Sequence, residues 1–260
     1  MFTAKTPERI ISKMHFSVII PMYNEEKNVE RTALALLSRL RETKCAFEII
    51  FSDDGSVDRS AETVARLSES NPEVRLLRSE TNRGKGYAVR KGITESRGDY
   101  AVFTDCDLAY GAEPILEILT ELRESNAGIC IGSRSLHPEG YGEYSLLRRT
   151  FSKLYIRILK TAASFNYSDS QCGIKGFNRQ ICVPLIERCV IDGFAFDLEI
   201  LMLADSMGIA VREVPVRVLS HVSKDSKVKM LRDAVKMLRD LRRIKKNINS
   251  PRKELLADET

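Results

Sequence analysis

The sequence predicts an α/β domain with a mostly parallel central sheet flanked by helices. Short apolar runs alternate with segments of helical periodicity through the first half of the chain, the order that parallel strands joined by helical crossovers require. The 260 residues and 43% hydrophobic content are enough for one sizeable core. Three of the apolar runs end in clusters of polar and acidic residues, which in such a sheet gather at the carboxyl edge, where ligands bind.

Each element has a local cause. Residues 16–21 ("FSVIIP") form a buried strand, and 28–43 place Val29, Ala33, Leu36, Leu37 and Leu40 on one helical face. A second strand at 47–51 is followed by a helix over 58–70 with Asp58 as its expected N-cap. Strands at 74–77, 100–104 and 128–132 come next, with helices at 86–96 and 114–125 between them. The Gly-, Pro- and Tyr-rich stretch 137–144 reads as a surface loop. Beyond it, 146–163 has helical spacing, "GIKGF" (173–177) reads as a strand, helices are expected at 179–189 and 196–207, and 211–218 alternates as a strand. Val228, Leu231, Val235 and Leu238 then form an apolar stripe, so that a basic amphipathic helix closes the domain.

Charge is unevenly spread. Residues 131–260 hold 23 Lys and Arg against 15 Asp and Glu, whereas 1–130 hold 18 against 21. The segment 224–246 alone has ten Lys or Arg and three Asp. A basic second half points to an anionic partner: a phosphate, an acidic membrane surface or nucleic acid. The last is disfavoured, because no binding-module signature is present and aromatic content is only 7%. No apolar run reaches 18 residues and the N-terminus lacks a signal-peptide core, so neither a membrane span nor an export signal is expected. Six scattered cysteines with no CxxC pair indicate neither a disulfide framework nor a structural zinc, and fit a reducing, cytoplasmic setting.

The chemistry concentrates in "FTDCDLAYG" (103–111). On an extended strand Asp105 and Asp107 point to the same side, which brings two negative charges together. A divalent cation with its preference for hard oxygen ligands would relieve them. The pair also reads as a turn, with Asp107 capping ahead of the helix at Pro114 and Asp105 accepting backbone hydrogen bonds. Two further clusters, "PMYNEE" (21–26) and "SDDGS" (52–56), converge on the same edge.

In order and spacing, "VIIPMYNEE" (18–26), "SDDGSVD" (52–58), "NRGKGYAVRKG" (82–92) and "TDCDL" (104–108) resemble family 2 of the nucleotide-sugar-dependent glycosyltransferases, which have the Rossmann-like GT-A fold. "DSQCGIKGF" (169–177), "FDLEIL" (196–201) and "SKVKMLRDAVKMLRDLRRI" (226–244) extend the likeness to the dolichyl-phosphate β-glucosyltransferases and their bacterial polyprenyl-phosphate relatives. The resemblance covers 16–246. It implies a nucleotide-sugar-binding half at 16–135 and an acceptor-side half of the same domain at 136–222. These are preceded by an N-terminal extension (1–15) and followed by the basic helix (223–248) and a tail (249–260). It also implies that Pro21, Tyr23, Glu25, Asp53 and Asp54 hold the nucleotide, and that Asp105 and Asp107 contact the sugar nucleotide and a Mg²⁺ or Mn²⁺. Lys85 is placed to reach the base or the phosphates, although a solvated lysine at a helix start has the same local sequence.

The implied reaction is inverting transfer of a hexose, from a donor such as UDP-glucose, to a polyprenyl or dolichyl phosphate. A phosphate monoester, with a second pKa near ~6, attacks as a dianion and needs cationic guides rather than a base. Arg134, Arg148, Lys175, Ser226, Lys227 and Lys229 are the candidates, with Asp169 and Gln171 near the sugar or acceptor. Asp169 reads equally as a turn residue. If the acceptor is instead a saccharide or glycolipid hydroxyl, it must lose its proton, and Asp197 or Glu199 would serve as base. The same two acids also fit a helix cap and an ion pair. Members of this group usually carry membrane-spanning helices; here basic helices at 146–160 and 224–246 are candidates for peripheral contact with an anionic membrane at its cytoplasmic face. A sugar-phosphate nucleotidyltransferase is a more distant alternative, since "MYNEE" is acidic where such enzymes have a glycine-rich basic loop. A dinucleotide oxidoreductase is disfavoured by the lack of GxGxxG after the first strand.

Overall fold

The structure is a computed structural model that describes residues 7–141, 166–219 and 239–249. A seven-stranded sheet forms its centre, built from β1 (His15–Met22), β2 (Ala46–Asp53), β3 (Val74–Arg78), β4 (Tyr100–Thr104), β5 (Ile129–Ser133), β6 (Ile174–Asn178) and β7 (Val211–Pro215). Their order is β3-β2-β1-β4-β6-β5-β7. All pairings are parallel except those of β6, which runs antiparallel to both β4 and β5.

The helices are α1 (Pro7–Ile10), α2 (Val29–Glu42), α3 (Ser60–Ser70), α4 (Lys85–Glu95), α5 (Glu113–Ser125), α6 (Arg179–Arg188) and α7 (Phe196–Ser206), with a further helix, α8, over 239–249. Alternation along the strands sorts the core into two layers. Phe16, Val18 and Ile20 face one way and bury against α2, α3 and α5 through residues such as Leu36, Leu40, Val64 and Leu119. Ile19, Ala101 and Phe103 face the other and meet α4, α6 and α7 through Val89, Ile93, Leu185 and Phe196.

The two halves share one sheet, because β6 from the second inserts between β4 and β5 of the first. Ahead of β1, Ile11 and Met14 are buried in the same layer as α5. Two expectations need correction. Asp58 lies one residue ahead of the N-cap position of α3, and its Oδ1 accepts from the Ser60 amide (3.0 Å) and hydroxyl (2.5 Å). β7 ends at Pro215, although Val216 and Val218 continue its buried alternation.

Of the expected basic helix, 239–249 is helical, with Leu241 and Ile244 buried in the second layer; the rest of 223–248 lies outside the described residues. The expected helix at 146–163 lies outside them too. Among the described residues no helix is long and apolar enough to cross a membrane.

Candidate active site

The parallel strands β1, β2 and β4 end side by side, and their loops interlock. After β1, where Pro21 is still a buried strand residue, Asn24 adopts a left-handed conformation (φ 55°) that turns the chain toward the β2 loop. The amides of Asn24 and Glu25 donate to the hydroxyls of Ser56 (2.9 Å) and Ser60 (2.7 Å), and Asn24 Oδ1 accepts from the Val57 amide (2.9 Å). Tyr23 stands 45% exposed beside this seam, and Glu25 accepts a hydrogen bond from Asn28 (2.7 Å).

Asp53 and Asp54 have separate tasks. Asp53 Oδ1 accepts from the Ser56 amide (3.0 Å), while its buried Oδ2 has no hydrogen-bond partner, and the Arg78 guanidinium lies 3.6 Å away. Both oxygens of Asp54 are committed, to the amides of Arg83 (3.0 Å) and Gly84 (2.6 Å). Asp54 thus holds the turn that opens α4.

That turn presents Lys85, whose ammonium pairs with Asp105 Oδ1. Burial opposes the lysine charge, but Asp105, Asp197 and Asp107 outweigh it and keep the pKa above the ordinary lysine value. Gly84 and Gly86 let α4 start hard against the loop 190–193. A Cβ on Gly84 (φ 123°) would lie 2.5 Å from the Asp192 carbonyl oxygen, and one on Gly86 would lie 2.6 Å from that of Ile191. The Asp192 carbonyl accepts from the Gly86 amide (2.8 Å), and its carboxylate pairs with Arg83 (3.3 Å) and Arg90.

The acid pair follows β4. Helix α2 anchors its loop from below, with Thr32 Oγ1 donating to the Cys106 carbonyl (2.5 Å) and Arg31 to that of Asp107 (3.3 Å). Asp107 Oδ1 accepts from the Ala109 amide (3.0 Å). Burial first, and then the charge of Asp105, raise the Asp107 pKa against that hydrogen bond. Asp105 is partly exposed: Lys85 holds one oxygen, and Gly173 lies on the side of the other, where a Cβ would come within 2.9 Å of Asp105 Cγ.

Strand β6 brings the second half into this site. Its antiparallel register sets Lys175 opposite Phe103 and Ile174 opposite Thr104. Lys175 is fully buried, 5.5 Å from the centre of the Phe103 ring, and donates to the Cys172 carbonyl (2.7 Å) and Asp197 Oδ1 (2.5 Å). Burial raises the pKa of Asp197, and Lys175 and then Lys85 pull against it. Beyond lies a second pair, in which Arg134 Nε and Nη2 donate to Asp169 Oδ2 (2.6 Å) and Oδ1 (2.9 Å). Burial opposes both charges, yet the bidentate contact wins, holding Asp169 below the usual carboxylate range and Arg134 well above its own. The Gln171 amide donates to Asp169 Oδ1 (3.2 Å).

Glu199 does not belong to the site. Its two oxygens accept from the amides of Val190 (2.8 Å) and Ile191 (2.8 Å), so it fixes the loop that supports α4 rather than facing the acids. Arg148, Ser226, Lys227 and Lys229 lie outside the described residues. Sequence reasoning missed Arg31, Thr32, Tyr110 and Asp192. Tyr110, whose hydroxyl accepts from the Gly173 amide (3.3 Å), sits inside the quoted acidic motif, and Asp192 begins an Asp-Gly pair that reads as a turn.

Two carboxylates suit Mg²⁺ or Mn²⁺, which take oxygen ligands and complete their shell with water and phosphate. Burial first, and Asp105 second, disfavour the Asp107 charge, and a cation would offset both. Among the described residues no group of three His, Cys, Asp or Glu could enclose a metal, so a cation there needs oxygens from a bound molecule. The residues fit such an ion.

A mostly parallel sheet with acids at the end of β2, an acid pair after β4 and one antiparallel strand beside it defines a GT-A fold. The chain belongs to the glycosyl transferase family 2, whose model matches residues 17–183, and it is a glycosyltransferase. It is 34% identical over 218 residues to a dolichyl-phosphate β-glucosyltransferase of Dictyostelium discoideum, covering 79% of this chain and 67% of that one. The Saccharomyces cerevisiae enzyme of the same name is 28% identical over 242 residues, with 86% and 72% covered. The chain thus spans about two thirds of the length of these relatives. Glucosyl-3-phosphoglycerate synthase from Mycobacterium tuberculosis, crystallised with Mn²⁺, UDP and phosphoglyceric acid, shares the fold with a TM-score of 0.68 at 20% identity, covering 95% of this chain and 83% of that one.

Proposed function

We propose that this glycosyltransferase moves glucose from UDP-glucose to a polyprenyl phosphate with inversion, using a divalent cation at Asp105 and Asp107. The observation that carries the reading is the row of alternating charges from Asp107 through Asp105, Lys85, Asp197 and Lys175 toward Asp169 and Arg134, one end acidic and the other rich in buried cations. The names of the relatives support the lipid phosphate and the glucose, and the Mn²⁺ and UDP of the structural relative support the donor and cation.

Each residue then has a task. Tyr23 and the Asp53 carboxylate lie where the nucleoside binds, and Lys85 steers the diphosphate. A divalent cation, when bound, supplies Lewis acidity at the leaving diphosphate. Lys175 and Arg134, each buried in an ion pair with Asp197 or Asp169, form the wall of the acceptor side. No base is called for: Glu199 is tied to backbone amides and Asp197 to Lys175, which favours the phosphate dianion over a hydroxyl as nucleophile.

The outward face of α8 carries exposed Arg239, Arg242, Arg243, Lys245 and Lys246, and we assign it to peripheral contact with an anionic membrane surface that holds the acceptor. The test of the function is product analysis by mass spectrometry. The purified protein is offered UDP-glucose with polyprenyl phosphate and free saccharides, with Mn²⁺ or with chelator. Glucosyl phospholipid is expected only with metal, and Asp107→Asn is expected to abolish it. Transfer confined to saccharide hydroxyls, or full activity in chelator, overturns the reading.

A further inference from the structure

The Asp105 side chain is 34% exposed, and its Oδ1 is held by Lys85, so a cation that uses Asp105 meets the lysine at the same carboxylate. The lysine, for its part, has a fixed root and a movable tip. Its backbone is pinned from both sides, because Asp54 takes the amides of Arg83 and Gly84, while Asp192 takes that of Gly86 and pairs with Arg83 and Arg90. Glu199 in turn fixes the amides next to Asp192. The side chain beyond this root is unbranched and stands among Asp105, Asp107 and Asp197. Its Nζ lies 5.9 Å from the Phe103 ring centre, so its surroundings are carboxylates and one ring face.

We infer that Lys85 couples cation binding to nucleotide binding: it occupies Asp105 against a lone divalent cation and releases it when a nucleoside diphosphate offers the ammonium another anion. This rests on the cation site proposed above. The physical reason is charge bookkeeping. Inserting a dication beside the ammonium at Asp105 is unfavourable while Lys85 has nowhere else to go. A diphosphate brings negative charge for Lys85 and oxygen ligands for the ion together, so each ligand raises the affinity of the other by the same factor. The arrangement limits the ion to its working complex and keeps free metal from cross-linking the two acids.

The test is Mn²⁺ titration of the full chain followed by electron paramagnetic resonance, with and without saturating UDP, for wild type, Lys85→Met, Lys85→Gln and Lys85→Arg. The wild type is expected to bind Mn²⁺ weakly alone and far more tightly with UDP. Lys85→Met and Lys85→Gln are expected to bind Mn²⁺ alone about tenfold more tightly than wild type, without a matching gain when UDP is present, so that the coupling factor falls about tenfold. Lys85→Arg keeps the charge and is expected to follow the wild type. If both neutral variants bind Mn²⁺ alone no better than wild type while Mn²⁺ and UDP still bind together, the coupling role is wrong and the cation site survives. An equal gain with and without UDP also overturns it, because that is simple repulsion. Absence of Mn²⁺ binding in every form, with UDP present, removes the cation site and this inference together.

Discussion

Replacing Gly173 with alanine puts one methyl group against Asp105. The new Cβ would lie 2.9 Å from Asp105 Cγ and nearer still to the carboxylate oxygen. Comfortable carbon–carbon contact needs about 3.5–4.0 Å, so the carboxylate must retreat by roughly 1 Å. Overpacking costs about 1–3 kcal/mol when the surroundings cannot yield. Here the obstructing group is the tip of a short side chain that can rotate aside, which puts the stability loss near the low end, about 1 kcal/mol. Rotation, however, breaks the contact with Lys85 and misaims the acid. A misplacement of about 1 Å at a reacting centre costs on the order of 10²-fold in rate. The expected signature is therefore a split: a nearly normal melting curve with glycosyl-transfer turnover reduced by about two orders of magnitude at saturating substrates. Wild-type turnover in a folded Gly173→Ala variant would refute the idea that Asp105 works from its place against this backbone.

Three further outcomes follow from the geometry. Glu199→Gln can accept only one of the two amide hydrogen bonds of Val190 and Ile191, so it is expected to lose about 1–3 kcal/mol of stability while the pH–rate profile keeps its shape; disappearance of the acidic limb from that profile would restore Glu199 as a base. Asp169 has its folded pKa depressed by Arg134, so the pair stabilises the fold above the ordinary aspartate pKa near ~3.9 and loses that contribution as pH falls through the lower folded value. Asp169→Asn is accordingly expected to be less stable by about 3–5 kcal/mol at neutral pH, with the gap narrowing in acid; denaturant midpoints measured across this range would contradict the pairing argument if the gap stayed constant. Reversing Arg242, Arg243, Lys245 and Lys246 to Glu is expected to remove at least about 1 kcal/mol of anionic-vesicle affinity per charge, and unchanged vesicle sedimentation at low salt would exclude α8 as a membrane contact.

Much of the fold was legible because its causes are local. The parallel strands other than the alternating β7 carry short apolar runs, and α2 buries all five residues that periodicity assigned to its inner face. The acids on β2 and after β4 were legible for the same reason: a strand end followed at once by carboxylates marks a sheet edge whatever the rest of the chain does. The placement of β6 was not. Its apolar pattern is the same whether it lies at the sheet's rim or between β4 and β5, and only long-range pairing decides. The two acids of "FDLE" show a different limit. Asp197 and Glu199 are chemically alike and two residues apart, but on a helix two residues turn through about 200°, so one meets Lys175 and the other the backbone of 190–191. Knowing which of them faces the site requires knowing how α7 is rotated.

The antiparallel strand explains why the two halves of the chain meet in one site. In the β4–β6 ladder, opposite residues share a face, so the register that pairs Phe103 with Lys175 also carries Asp105 to Gly173, two steps further on. Asp105 and the cation that meets Asp197 are thereby spaced by strand geometry rather than by flexible loops. A slip of one residue would turn Lys175 into the opposite apolar layer and leave Asp197 buried without its partner, at a cost of several kcal/mol for the uncompensated charge. The buried ion pair therefore works as a register key: a correctly paired sheet satisfies it, and the same pairing leaves a glycine, with no side chain to intrude, as the floor beneath Asp105.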